Sequence, residues 1–189
     1  MNVFDFDNTI YNGESTLDLF FFYIARKPWL LKHLKTVLLA FKRYRKGDVG
    51  IPEIIERYVP MVEKDVLRVV DFEKDPKIFW DGHMKKIKPL YNELRSDDDL
   101  IITASPDFNI DEVCRRLGIK RSLTSRVDRE TGKILFVNIR ENKITAFREA
   151  YGNEEIENFY TDSPENDAPL IDLANHAFVV KGNKITQIK

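Results

Sequence analysis

The sequence predicts an α/β protein: a Rossmann-like, doubly wound parallel sheet with a helical cap inserted after the first strand. Three observations carry this reading. Short apolar runs alternate with helical patterns through the second half of the chain, as in a parallel sheet with crossover helices. One further apolar run, Val3-Phe4, stands at the very start. Between residues 15 and about 91, apolar positions recur at helical spacing and no run reads as a strand.

Val3-Phe4 is a short strand that runs straight into Asp5-Phe6-Asp7-Asn8-Thr9. Leu17 to Ala25 is apolar enough for a buried helix. Pro28 opens a second helical stretch to about Tyr44, in which Leu30, Leu34, Val37, Leu38, Phe41 and Tyr44 recur three and four residues apart. Gly47 and Gly50 break the pattern. Ile54 to Val62 predicts another helix, kinked at Pro60. Residues 76 to 95 read as helix interrupted near Pro89. Leu100-Ile101-Ile102 is a buried strand, and Ser105-Pro106 reads as an N-cap with proline at the first helical position. That helix stops at Gly118. Leu123 to Val127 and Ile134 to Ile139 flank Asp128-Arg129-Glu130-Thr131-Gly132-Lys133 as a hairpin. A helix over 142–151, a strand at Asn158-Phe159-Tyr160, a helix from Pro169 to Ala174 and a last strand from Ala177 to Val180 complete the reading. The expected division is a core of residues 1–14 plus 92–189 and a helical cap of residues 15–91.

Composition narrows the function classes. Hydrophobic residues at 43% and charged residues at 32% exclude a disordered or collagen-like chain. Thirty Lys and Arg against 31 Asp and Glu give a net charge of −1, so no whole-protein basic field points to nucleic acid. The single cysteine, Cys114, excludes an intramolecular disulfide and fits a reducing, cytoplasmic setting. The N-terminus has no basic region followed by an apolar one, so no secretory signal is expected. The longest purely apolar run, Leu19 to Ala25, is far short of the ~20 residues of a membrane span.

The chemistry gathers at strand ends, where open α/β sheets hold their ligands. Asp5 and Asp7 follow the first strand, Thr103 and Ser105 follow Leu100-Ile101-Ile102, and Asp162 and Ser163 follow Phe159-Tyr160. Asp167 lies five residues past Asp162, and Lys143 starts a helix. This set suits phosphoryl transfer to a carboxylate. A phosphate dianion facing Asp5, Asp7 and Asp162 needs a divalent cation, and an oxygen-only set suits Mg²⁺. Lys143 adds positive charge, while Thr103 and backbone N–H groups at the Ser105-Pro106 helix start can hold the remaining oxygens.

On these residues the sequence resembles the haloacid dehalogenase superfamily of phosphatases. It is similar to the branch holding phosphoserine phosphatases and a bacterial phosphatidylglycerophosphatase. The resemblance runs in order through Asp5-Phe6-Asp7-Asn8-Thr9, Ile101-Ile102-Thr103-Ala104-Ser105-Pro106, Glu141-Asn142-Lys143 and Tyr160-Thr161-Asp162-Ser163 to Asp167. It implies Asp5 as nucleophile and metal ligand, and Asp7 as general acid and then base, with its backbone carbonyl on the metal. It implies Thr103 on the phosphate, Lys143 stabilising its charge, Asp162 on the metal and Asp167 supporting that site. Thr9, Glu14 and Ser105 are expected on the substrate side. The spacing from Asp162 to Asp167 is one residue longer than the family pattern, which leaves Glu165 and Asn166 as stand-ins for Asp167. Thr103-Ala104-Ser105 replaces the Ser-Gly-Gly of phosphoserine phosphatases, and no cap arginine can be singled out to accompany Glu14. Asp7 argues for a phosphatase over a dehalogenase. A phosphomutase would keep the same residues, and a catalytically silent phosphate-binding or membrane-recruited protein is the non-enzyme alternative.

Residues 26–46 hold Arg26, Lys27, Lys32, Lys35, Lys42, Arg43, Arg45 and Lys46 and no acidic residue, leaving 22 basic against 31 acidic, or −9, elsewhere. Three readings stand. The stretch is a solvated cap helix packed by its apolar face, a peripheral anchor on an anionic inner membrane face, or a guide for an anionic substrate. The substrate is correspondingly a small soluble phosphoester or a lipid-linked phosphate. His33, His83 and His176 show no ligand spacing, and Cys114 reads as a small buried residue.

Overall fold

The computed structural model describes all 189 residues. Seven strands form one sheet in the order β4-β3-β2-β1-β5-β6-β7. They are β1 (Asn2–Phe4), β2 (Leu100–Pro106), β3 (Arg121–Asp128), β4 (Lys133–Phe136), β5 (Asn158–Thr161), β6 (His176–Lys181) and β7 (Lys184–Gln187). The five central strands are parallel, and β4 and β7 close the edges antiparallel. From β1 the chain builds outward to β2 and β3, then returns to lay β5 and β6 on the other side. The strand order therefore reverses at β1, the point where such sheets open a ligand crevice.

The central strands are buried on both faces, and their side chains alternate between two cores. Phe4, Ile101 and Tyr160 enter the larger core, where the Phe4 and Tyr160 rings stack 4.6 Å apart. Their neighbours Val3, Leu100, Ile102 and Phe159 enter the smaller one. Phe147 of α8 (Glu141–Tyr151) and Leu170 of α9 (Pro164–Leu173) cover that second face. The larger core is covered by α1 (Ser15–Arg26), α5 (Asp75–His83), α6 (Pro89–Leu94) and α7 (Asp107–Leu117). Trp80 of α5 is fully buried there and donates its indole N–H to the Asn109 carbonyl at 2.7 Å.

Between β1 and β2 the regular elements are all helical. After α1 come a 3-10 turn, Pro28–His33, and α2 (Leu34–Arg45). Residues 51–69 form one irregular helical run. In it α3 (Ile51–Glu53) and α4 (Val59–Met61) alternate with π-turns at Ile54–Tyr58 and Val62–Val66. Before Pro60, where a kink is expected, stands the first π-turn, whose closing bond runs from the Val59 N–H to the Ile54 carbonyl. The wider turn absorbs the ring and the missing N–H of proline.

Three other boundaries differ from the sequence reading. Strand β2 continues through Ser105 to Pro106, so Ser105 does not cap α7, whose first residue is Asp107. The Ser105 hydroxyl is engaged elsewhere, as described below. Helix α9 starts at Pro164 rather than Pro169; Pro169 sits inside it, and Glu165, whose carbonyl loses its partner, is exposed. A seventh strand follows β6 through Gly182 at φ +61, a left-handed turn that suits glycine.

Glu112 anchors α7. It accepts hydrogen bonds from Arg115 and Arg116 at 2.7–2.9 Å, and Arg116 continues to Asp81 on α5 at 3.0 Å. Hydrogen bonds from Arg115, opposed by burial, hold the Glu112 carboxyl down at about 2. A folded-state value below the unfolded one makes the contribution present above pH ~4.5 and lost as pH falls towards 2. Glu112→Gln is expected to lower unfolding free energy by about 1–2 kcal/mol at pH 7, with the difference shrinking below pH ~4. Urea unfolding across pH reads this, and a pH-independent difference would contradict it.

Candidate active site

The carboxyl ends of β1, β2 and β5 open on a cavity of about 220 Å³. Asp5, Asp7, Glu14, Thr103, Ser105, Lys143, Asp162 and Asp167 all line it. Eight of the nine residues expected at the site therefore meet in one place, although they come from four separated segments. Thr9 does not join them. It is buried, and its hydroxyl has no partner. Its place in the loop behind Asp7 corrects the expectation that it faces substrate.

Sharp backbone features aim the first motif. The loop after β1 turns at Asn8, which holds a left-handed φ of +57°, a conformation asparagine tolerates better than most residues. The Asn8 N–H bonds to the Gly13 carbonyl at 3.0 Å, and its side chain donates to Glu14 at 2.8 Å. From behind, the buried Lys88 ammonium donates to the carbonyls of Asn8 and Gly182. Burial pulls the Lys88 pKa below its ordinary value, with Asp162 opposing.

Asp5 is buried and receives the Lys143 ammonium at 2.9 Å. The same ammonium donates to Asp167 at 2.7 Å. Burial, the largest influence, pushes the Asp5 carboxyl well above the ordinary carboxylate range; Lys143 opposes it, and Asp167 and Asp162 add repulsion. Burial pulls the Lys143 ammonium down, but Asp167 and Asp5 outweigh it and hold the pKa above normal. Lys143 is thus a charged lysine clamped between two carboxylates.

Asp7 has a different environment. The Ser15 N–H donates to its Oδ1 at 2.5 Å, and the Ser105 hydroxyl donates to its Oδ2 at 2.8 Å. With its proton spent there, the Ser105 oxygen accepts from the hydroxyls of Ser15 and Thr16, 3.0 and 2.8 Å away. Ser105 therefore lines the cavity with its proton committed to Asp7. Burial, reinforced by Glu14, raises the Asp7 pKa to about 6. Thr103 accepts from the Ser105 N–H at 3.2 Å, which leaves its own O–H free to donate into the cavity. The helix N-terminus expected to bind phosphate is displaced. Pro106 has no N–H, and the Phe108 N–H is taken by Asp107 at 2.8 Å.

The longer spacing in the last motif is resolved by α9. Glu165 points to solvent. Asn166 lines the cavity but spends its amide on Ser163 and Arg140, at 2.9 and 3.3 Å. Asp167 is buried, with one oxygen on Lys143 and the other accepting from the Thr161 hydroxyl at 2.6 Å. Both of its oxygens are occupied, so it orients Lys143. Asp162 keeps a more open position, and burial raises its carboxyl to about 6 against the pull of Arg45.

Arg45 is the residue that sequence reasoning missed. From the last turn of α2 it donates to both Glu14 and Asp162, the latter at 3.1 Å. It is the arginine beside Glu14 that could not be singled out among eight basic residues. Tyr44, beside it, also lines the cavity, and burial pushes its phenol up to about 12.

No three His, Cys, Asp or Glu side chains stand close enough together to hold an ion. The carboxyls of Asp5 and Asp162, both with raised pKa, line the cavity and offer oxygen donors. Mg²⁺ fits such a set, because it is commonly held by one or two carboxylates and keeps several waters.

A doubly wound sheet with paired acidic side chains at its switch point, a clamped lysine and a helical cover defines a hydrolase of the α/β class. The chain belongs to the haloacid dehalogenase-like hydrolases, whose family pattern matches residues 3–172. It is similar in structure to a Bordetella pertussis Tohama I protein of unknown function (TM-score 0.70, 16% identity, covering 94% of this chain and 87% of that one). It is also similar to a phosphoserine phosphohydrolase-like protein from Francisella tularensis subsp. tularensis SCHU S4 (TM-score 0.64, 19% identity, 94% and 86% covered). A phosphoserine phosphatase bearing a phospho-aspartyl intermediate analogue has the same fold (TM-score 0.52, 19% identity, 93% and 83% covered). No curated protein matches the chain in sequence. No helix is long and apolar enough to cross a membrane.

Proposed function

We propose that this chain is a Mg²⁺-dependent phosphomonoesterase that works through an aspartyl-phosphate on Asp5. The observation that carries the reading is the pair of unlike carboxyls in one cavity: Asp5 against Lys143 at 2.9 Å, and Asp7 with its pKa raised to about 6. The Lys143 ammonium favours the anionic, nucleophilic form of Asp5, whereas Asp7 faces only neutral donors and burial favours its protonated form. The similarity to a phosphatase with a phospho-aspartyl analogue supports the same chemistry.

An Asp5 oxygen attacks phosphorus, the ester bond breaks, and the leaving oxygen takes the proton of Asp7. Asp7, now a carboxylate held by Ser15 and Ser105, takes a proton from water. That water attacks the phosphorus of the aspartyl-phosphate, the Asp5 oxygen is released, and inorganic phosphate leaves. The Thr103 hydroxyl and the third N–H of Lys143 donate to the phosphoryl oxygens. Asp5, Asp162 and the Asp7 carbonyl would hold Mg²⁺, with Asp167 supporting through Lys143. Bound there, the ion offsets the charge of phosphate and carboxylates. Glu14 and Arg45 face the organic part of the ester, and residues 15–91 act as the cap over it.

The outer face of residues 26–46 supports peripheral contact with an anionic membrane. Trp29, Leu31, Leu38 and Leu39 are exposed there beside exposed Lys32, Lys35 and Lys42. Sedimentation with anionic vesicles at low salt, reversed at high salt, is the expected result, and no sedimentation at low salt removes this contact.

Hydrolysis of an aryl phosphate with Mg²⁺ tests the mechanism. Asp5→Asn is expected to lower kcat by at least about a thousandfold. EDTA should abolish wild-type turnover and added Mg²⁺ should restore it. Equal activity of wild type and Asp5→Asn would overturn the reading.

A further inference from the structure

A second cavity, of about 230 Å³, lies beside the first. The two share walls: Thr16, Ala40, Phe41, Tyr58 and Ala104 line both. Their chemistry differs sharply. Seven of the 21 residues lining the first are acidic or basic. In the second, 16 of 19 lining residues are hydrophobic, among them Leu19, Phe20, Val37, Val62 and Val66. Its remaining members are Pro106, Thr16 and Ser125: Thr16 lies 2.8 Å from Ser105, and Ser125 donates to the Ala104 carbonyl at 2.7 Å. Tyr23 adds one buried hydroxyl without a partner. Apart from that group, these walls favour hydrocarbon over a polar group.

The cavity is larger than the roughly 150 Å³ apolar cavity that admits a benzene ring. It lies between the inner face of α2, the irregular helical run of residues 51–69 and the ends of β2 and β3. The π-turns of that run widen the helix where Tyr58, Val62 and Val66 face it. It adjoins the cavity of Asp5 along the five shared residues.

We infer that the second cavity receives the hydrocarbon tail of the substrate, so that the preferred substrate is an amphiphilic phosphomonoester with its phosphate at Asp5 and its apolar chain between α2 and residues 51–69. This rests on the phosphomonoesterase reading for the head group and on the apolar walls for the tail. The step from charged to hydrocarbon lining across Phe41 and Tyr58 matches the step from head to tail in such a molecule. A small polar ester would reach Glu14 and Arg45 and leave the apolar cavity unused.

Binding and turnover separate the two parts. Titration calorimetry with uncleavable n-alkylphosphonates from methyl to octyl, in Mg²⁺, reads the tail alone. Kd is expected to fall by about threefold to fourfold for each buried methylene, with an increasingly negative heat-capacity change. Val66→Phe, which fills the cavity, should flatten that slope. In parallel, kcat/KM for the matching n-alkyl phosphates should climb with chain length. Affinity that is constant from methyl to octyl in the wild type overturns the tail site, even if every ester is hydrolysed. Affinity that climbs while no ester is hydrolysed upholds the tail site and removes the phosphatase reading.

Discussion

One ammonium group holds the site together. Lys143 Nζ lies 2.9 Å from Asp5 and 2.7 Å from Asp167, and all three residues are buried. Through this bridge the end of β1, the start of α8 and the first turn of α9 are fixed to one another. Removing three charges from water is costly, and their attraction offsets that cost only when the geometry is good and the remaining atoms are satisfied. Here the second Asp167 oxygen accepts from Thr161, and Lys143, with two of its N–H groups engaged, lines the cavity. A lysine without both carboxylates, or the carboxylates without the lysine, would leave an uncompensated buried charge.

The rest of the architecture places this cluster where substrate can reach it. Reversal of strand order at β1 opens the crevice, and the left-handed turn at Asn8 brings Asp7 and Glu14 round beside Asp5. The Ser105 hydroxyl donates to Asp7 and accepts from two hydroxyls, so Asp7 is oriented by β2 and α1 together. From the end of α2, Arg45 reaches across to Glu14 and Asp162. The two cavities follow from this arrangement. Helix α2 turns Tyr44 and Arg45 towards the acidic floor and Val37 towards the apolar side, with Ala40 and Phe41 on the shared wall.

The parallel sheet was legible in the sequence because buried strands are short apolar runs and their polar ends fall at fixed offsets. Asp5, Thr103 and Asp162 could be placed for that reason. What escaped was tertiary. Ser105 before proline looks like a helix cap, and only the approach of Asp7 shows where its proton goes. The role of Asp167 depended on the start of α9, which Pro164 sets and Pro169 obscures. Strand β7 is mostly exposed and short, so it carries no apolar run. Arg45 was one charge among eight, and nothing local distinguishes the arginine that meets Glu14, 31 positions away. The cavity beside the site arises from side chains spread over several elements and has no sequence signature.

The central claim is that the charge of Lys143, balanced between Asp5 and Asp167, organises the site. Urea unfolding of a mutant cycle measures it most directly. Lys143→Met alone should cost about 3–5 kcal/mol, because it leaves two buried carboxylates facing each other. Combining it with Asp5→Asn and Asp167→Asn should recover most of that loss. A cost for Lys143→Met below about 1 kcal/mol, the range of an exposed pair, or no recovery in the combined variant, would contradict the account.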